Sequence, residues 1–127
     1  MRTSLALSLW LLAVVVACGV VSAQLTGGVS ERYVSAAEEL TVLTGDQSWQ
    51  RAEETASAYL ADWMKTEKWL QILAEHEDTD DVTMALKRIA AGIRAKDVSM
   101  CLEACGELRE HALHIDHRDA FTWGNVL

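Results

Sequence analysis

The 127-residue chain contains no proline and only seven glycines. Helix-breaking positions are therefore few, and no glycine-rich phosphate loop stands out. Cysteine is scarce. Of three cysteines, Cys18 lies in an apolar leader, which leaves Cys101 and Cys105 for the rest of the chain. Two thiols exclude a small fold held together by disulfides. Basic charge is also in deficit, with 11 Lys and Arg against 19 Asp and Glu. Without Arg2, ten basic residues face nineteen acidic ones in the remainder, a net charge of −9. That balance argues against nucleic acid or anionic lipid as an electrostatic partner, because both require clustered Lys and Arg. It suits a soluble acidic surface, or a basic or cationic partner.

What is abundant is Ala, Leu and Glu, with little β-branched alternation beyond the leader. This composition predicts an all-α domain. About a hundred residues remain after the leader, enough for one small core.

Residues 5–23 read LALSLWLLAVVVACGVVSA, with Arg2 as the preceding positive charge. Nineteen residues in a helix span roughly 28 Å, close to the thickness of a hydrocarbon core. Three readings follow. Residues 1–23 are a single-pass anchor, with Arg2 inside and the C-terminal domain outside the cytoplasm. Alternatively they are a signal peptide cut after Ala23, since Val21-Ser22-Ala23 has the small residues that cleavage needs, and the domain is secreted. In the third, Val15-Val16-Ala17-Cys18 is a bacterial lipobox and Cys18 carries lipid. The apolar Gly19-Val20-Val21 that follows is unlike the polar stretch expected there.

Residues 24–28 read as a linker, with Gly27-Gly28 as breaker, and residues 29–127 as a helical domain. Tyr33, Ala36, Ala37, Leu40 and Leu43 recur at helical spacing, with Val29 as a staple before them and Gly45 as a stop. Asp46 or Ser48 caps a long second helix of about thirty residues. Its core face holds Trp49, Ala52, Ala56, Tyr59, Leu60, Trp63, Leu70 and Leu73, while Trp69, Ile72 and His76 form a neighbouring stripe. The acidic run from Glu75 to Asp81 is a turn, with Thr79, Asp80 and Asp81 as caps for the third helix. That helix buries Val82, Ala85, Leu86, Ile89 and Ile93. The fourth runs from Val98 to His117 on a seam of Val98, Cys101, Cys105, Leu108, Ala112 and Ile115. The tail, with Phe121 and Trp123, is expected to fold back. A four-helix up-down bundle after a hydrophobic signal or anchor helix accommodates these elements. The stretch from Gly45 also echoes the stretch from Ala95, as two stacked helical hairpins would require.

From Trp63 onward the chain carries a Trp-containing helix (Trp63, Trp69), His76-Glu77, a helix with Leu86 and Ile89, and a last helix with Leu108 and His111. It ends Trp123-Gly124-Asn125-Val126-Leu127. This resembles the bacterial family catalogued as domain of unknown function 4363. Its members look like small proteins with one N-terminal hydrophobic segment and an extracytoplasmic helical domain. The resemblance implies a bacterial envelope location and supplies no catalytic residue.

Few residues suggest chemistry. His111, His114 and His117 follow at intervals of three, and helices two and four run parallel in an up-down bundle. His76 could then join His111 and His114 around a cation, giving a cation-binding or cation-sensing module. The alternative for His76 is a helix C-terminus, where positive charge is favoured. The acidic turn lacks the central glycine of a calcium loop and reads as a solvated cap. Cys101 and Cys105, one turn apart, read as small buried residues. Trp49, Trp63, Trp69, Phe121 and Trp123 are candidates for a partner-binding surface, with bundle core as the competing role. No nucleophile-base set or paired-carboxylate motif appears, so the expectation is no enzyme and no cofactor. The leading reading is an interaction or structural accessory domain of the envelope, held by its N-terminal segment in the membrane and docking a protein partner.

Overall fold

The computed structural model describes the backbone of residues 1–73 and 76–126, and the side chains of residues 1–72 and 76–115. Four α-helices account for it: α1 (Arg2–Gly45), α2 (Trp49–Leu73), α3 (His76–Arg94) and α4 (Val98–Val126). Each packs on its chain neighbours, and α4 closes the ring against α1, the most extensive of the four interfaces. Short connections make the course up-down-up-down, with α3 diagonal to α1.

The apolar spacings explain the core. Tyr33, Ala36, Ala37 and Leu40 of α1 are buried, as are Ala52, Ala56, Trp63 and Leu70 of α2. Val82, Leu86 and Ile89 from α3 meet Cys101, Cys105, Leu108, Ala112 and Ile115 from α4. Residues three and four apart share one face of a helix, so each stripe turns inward.

Four boundaries differ from expectation. The second helix is 25 residues long, shorter than the thirty expected. Residues 24–28 are not a linker: α1 passes through Gly27 and Gly28 as one helix of 44 residues. Two glycines cost about 2 kcal/mol of helix propensity. Opposing that cost, Thr26, Val29 and Ser30 are buried in the bundle, and the Thr26 hydroxyl donates to the Ser22 and Ala23 carbonyls at 3.0 and 3.1 Å. Tertiary packing on one side and the apolar leader on the other hold the segment helical. The third helix opens at His76, so Thr79–Asp81 lie inside it, and the Thr79 hydroxyl donates to the His76 carbonyl at 2.9 Å. The fourth does not stop at His117 with a folded-back tail but continues to Val126.

The two distal turns share one hydrogen-bond pattern. Ser48 N–H donates to Leu43 O and Gln47 N–H to Thr44 O. Asp97 N–H likewise donates to Gly92 O, and Lys96 N–H to Ile93 O. Both are Schellman closures, with the left-handed position taken by Gln47 (φ 58°) and Lys96 (φ 52°). The echo is thus present in the backbone, displaced by one residue from the Gly45–Ala95 pairing. Ser48 and Asp97 then open α2 and α4, and the Asp97 carboxylate accepts from Met100 N–H at 3.1 Å.

Candidate interaction surfaces

The polar groups between helices are committed to one another. The Tyr33 hydroxyl donates to Asp62 at 2.7 Å, and Arg32 pairs with the other oxygen of that carboxylate at 3.2 Å. Tyr59 donates to Glu39 at 2.8 Å. Burial, followed by the adjacent carboxylate, raises the pKa of both phenols above the ordinary tyrosine value. The Trp63 indole N–H donates to the Thr83 hydroxyl at 2.8 Å, which itself donates to Thr79 O. Arg88 Nη1 reaches both oxygens of Glu107 at 2.5 and 2.6 Å, joining α3 to α4. These bonds fix the order and height of the helices. Arg32 and the Tyr59–Glu39 pair also line an open polar cleft of about 440 Å³ between α1 and α2, together with Glu54, Thr55 and Ala58.

The histidines do not assemble as the cation reading requires. Among the described residues, no three His, Cys, Asp or Glu side chains could hold a metal ion. His76 begins α3 and does not end α2, so the parallel-helix argument that placed it beside His111 and His114 loses its premise. His111 Nδ1 lies 3.8 Å from Asp81, and His114 Nδ1 lies 2.9 Å from Glu110 O of its own helix. The side chain of His117 lies outside the described residues.

The five aromatic candidates separate. Trp63 is fully buried and meets Tyr33 edge-on with ring centroids 5.0 Å apart, so it belongs to the core and offers a partner no surface. Trp49 is half-buried and packs on the core. Trp69 retains 37% of its surface. The side chains of Phe121 and Trp123 lie outside the described residues. Spacing put Trp63 on the core face and Trp69 on the neighbouring stripe, and their burial follows that difference.

Two further concave surfaces have a largely apolar lining. One lies between α1 and α4 and is lined mainly by carbon from Ala37, Val42, Leu102 and Cys105, with Glu38 and Arg109 at its rim. Gly106 deepens it, since an added methyl group there would meet nothing within 4 Å. A glycine inside an otherwise well-formed helix was the signal available for this groove, and sequence reasoning passed over it. The other is a cleft between α1 and α2, where Leu25, Gly28, Val29 and Tyr33 face Thr66 and Trp69. It opens at the end of the bundle from which the leader emerges.

The leader itself is a bare apolar rod. Leu5, Trp10, Leu12, Val16 and Val21 each expose half or more of their surface. Within α1 lies a stretch long and apolar enough to cross a membrane, none of it buried by the bundle. Such a helix is compatible with a single-pass anchor or a signal sequence.

Residues 21–126 match the model of the family described as Domain of unknown function (DUF4363). The chain belongs to that family, as the resemblance from Trp63 onward implies. No curated protein and no solved structure matches it.

Proposed function

We propose that the protein is a membrane-tethered, non-catalytic interaction domain. In this reading the leader is retained as a single-pass anchor and the bundle stands on the extracytoplasmic side. The observation that carries the reading is the unbroken course of α1 from Arg2 to Gly45. The candidate cleavage bond after Ala23 lies inside this helix, with Thr26 tying both Ser22 and Ala23 into it. The family match also begins at residue 21, before that bond. Arg2 is the only Lys or Arg before Arg32, which favours an inside N-terminus and an outside bundle.

The non-catalytic part of the proposal rests on what the polar groups do: each cross-helix pair is engaged in holding helix to helix. What the bundle offers a protein partner is the α1–α4 groove, whose carbon-rich floor and single rim charges suit an apolar helix ridge.

Alkaline carbonate extraction of native membranes and intact-mass measurement test the anchor. The expected product resists extraction and retains the leader. A soluble species beginning at Gln24, or a lipidated species beginning at Cys18, would overturn it. For the groove, Gly106→Leu is expected to leave thermal unfolding in place and to abolish any larger assembly seen for the wild type on native gels. An unchanged assembly would rule the groove out as the docking face.

A further inference from the structure

We propose that the α1–α2 edge of the bundle is itself a lipid-contacting surface, with Leu25, Trp69 and Ile72 seated in the interfacial layer of the bilayer that α1 crosses. The inference rests on the anchor reading above and adds a second contact with the same membrane. Its first support is the helix. A flexible linker would let the bundle float free, but α1 is continuous, so the height of every bundle residue above the bilayer is set by helical rise.

A hydrocarbon core of about 30 Å takes up roughly 20 residues at about 1.5 Å each. Counted from Leu5, it ends near Gln24 and Leu25. The headgroup layer, about 5–7 Å deep on each side, then covers the next four or so residues of α1. Trp69 lines the cleft formed by Leu25, Gly28 and Val29, which places it at that height. Ile72 follows by three residues on a helix antiparallel to α1, and so lies about 4.5 Å nearer the hydrocarbon.

The exposures fit this placement. Ile72 is 84% exposed, Leu25 46% and Trp69 37%. Among the described residues, Ile72 is the most exposed large apolar side chain of the bundle proper. In water it would be a single unfavourable contact; at this height it meets acyl chain. Lys65 and Lys68 precede Trp69 and Ile72 by one turn each and share their face. Towards the membrane, α2 therefore presents ammonium, then indole, then aliphatic carbon. The bilayer presents phosphate, interface and hydrocarbon in the same order, and both Trp and Lys anchor helices there.

The acidic start of α3 stands at the same end, with Glu77 and Asp80 exposed. It occupies the corner diagonal to α1. With helices 8–10 Å apart, a typical membrane-helix tilt of about 20° lifts that corner by roughly 5 Å. The contact is apolar in origin, so zwitterionic lipid is sufficient for it.

The test uses the full chain with Cys18→Ala, reconstituted into phosphatidylcholine vesicles. The environment-sensitive fluorophore NBD is attached in turn at Val14→Cys, Ile72→Cys or Met84→Cys. Met84 is a control, 59% exposed on α3 and about 15 Å further from the bilayer by helical rise. Near-wild-type thermal unfolding in detergent certifies each variant. The expected result is a blue-shifted probe at 72, quenched at least about threefold more than the probe at 84 by lipids with a quencher near the headgroup. Quenching of site 14 with site 72 behaving like site 84 would overturn this inference and leave the anchor standing. Site 14, at the bilayer midplane by the same count, is read with lipids carrying the quencher deep in the acyl chain, and failure to quench it there would overturn the anchor and the inference together.

Discussion

Tyr33 of α1 donates its phenolic hydrogen to Asp62 of α2 at 2.7 Å, while its ring lies 5.0 Å from that of the buried Trp63. One residue thus joins the apolar core to the polar seam between the first two helices. Tyr33→Phe keeps the ring and removes the bond. The expected loss is about 1–2 kcal/mol, at the lower end for a hydrogen bond to a charged group because Asp62 is partly exposed. Urea unfolding of the detergent-solubilised protein measures it.

The same pair sets an alkaline limit. Burial and Asp62 raise the pKa of Tyr33, and burial and Glu39 that of Tyr59. A raised phenol binds its proton more tightly in the folded state. Its contribution is complete below the unfolded value, near 10, and is lost as pH climbs towards the folded one. Stability is expected to fall from about pH 10 upward, and Tyr33→Phe should show a shallower decline.

Gly92 packs so closely on α4 that an added Cβ would lie 2.8 Å from Cys101 Sγ. Gly92→Ala should therefore destabilise, with an overpacking cost of about 1–3 kcal/mol partly offset by about 1 kcal/mol of helix propensity. In a Cys101→Ala background the shortest contact is removed, leaving Cys101 N at 3.3 Å and Met100 Cγ at 3.4 Å. A double-mutant cycle is expected to give a coupling of at least about 1 kcal/mol; additive effects would refute the close contact.

Gln47 and Lys96 hold left-handed backbone without being glycine. Each carries about 1–2 kcal/mol of strain, against about 0.5–1 kcal/mol of extra entropy lost by a glycine. Gln47→Gly and Lys96→Gly are each expected to stabilise by about 0.5–1 kcal/mol, read as a higher unfolding midpoint.

The two thiols of the bundle should react only on unfolding. Burial pushes Cys105 up to about 11 and, with Asp97 adding to it, raises Cys101 as well, whereas Cys18 is exposed on the leader. Iodoacetamide at pH 8 should spare Cys101 and Cys105 in the folded protein and modify both after unfolding. Peptide mass spectrometry distinguishes the sites.

Much of the architecture was legible in local pattern. Stripes such as Val82, Ala85, Leu86, Ile89 and Ile93 turned inward as their spacing required. Family membership was legible from Trp63 onward. The surfaces were less so. The histidines looked like a set along the chain, but a ligand set is a convergence in space, and His76 began a different helix from the one assigned to it.

The sequence by itself determined four helices, their buried faces and an apolar leader, because helical period and hydrophobicity are properties of neighbours along a chain. Tertiary structure alone decided that Gly27-Gly28 would not break α1. The packing of Thr26, Val29 and Ser30 there outweighs a local preference worth about 2 kcal/mol. Tertiary structure also decided that Trp69 faces Leu25, Gly28 and Val29 across a cleft, since that depends on which helix stands opposite. The distal turns took left-handed closure at Gln47 and Lys96 for the same reason: the geometry of paired helices overrode the preference for glycine.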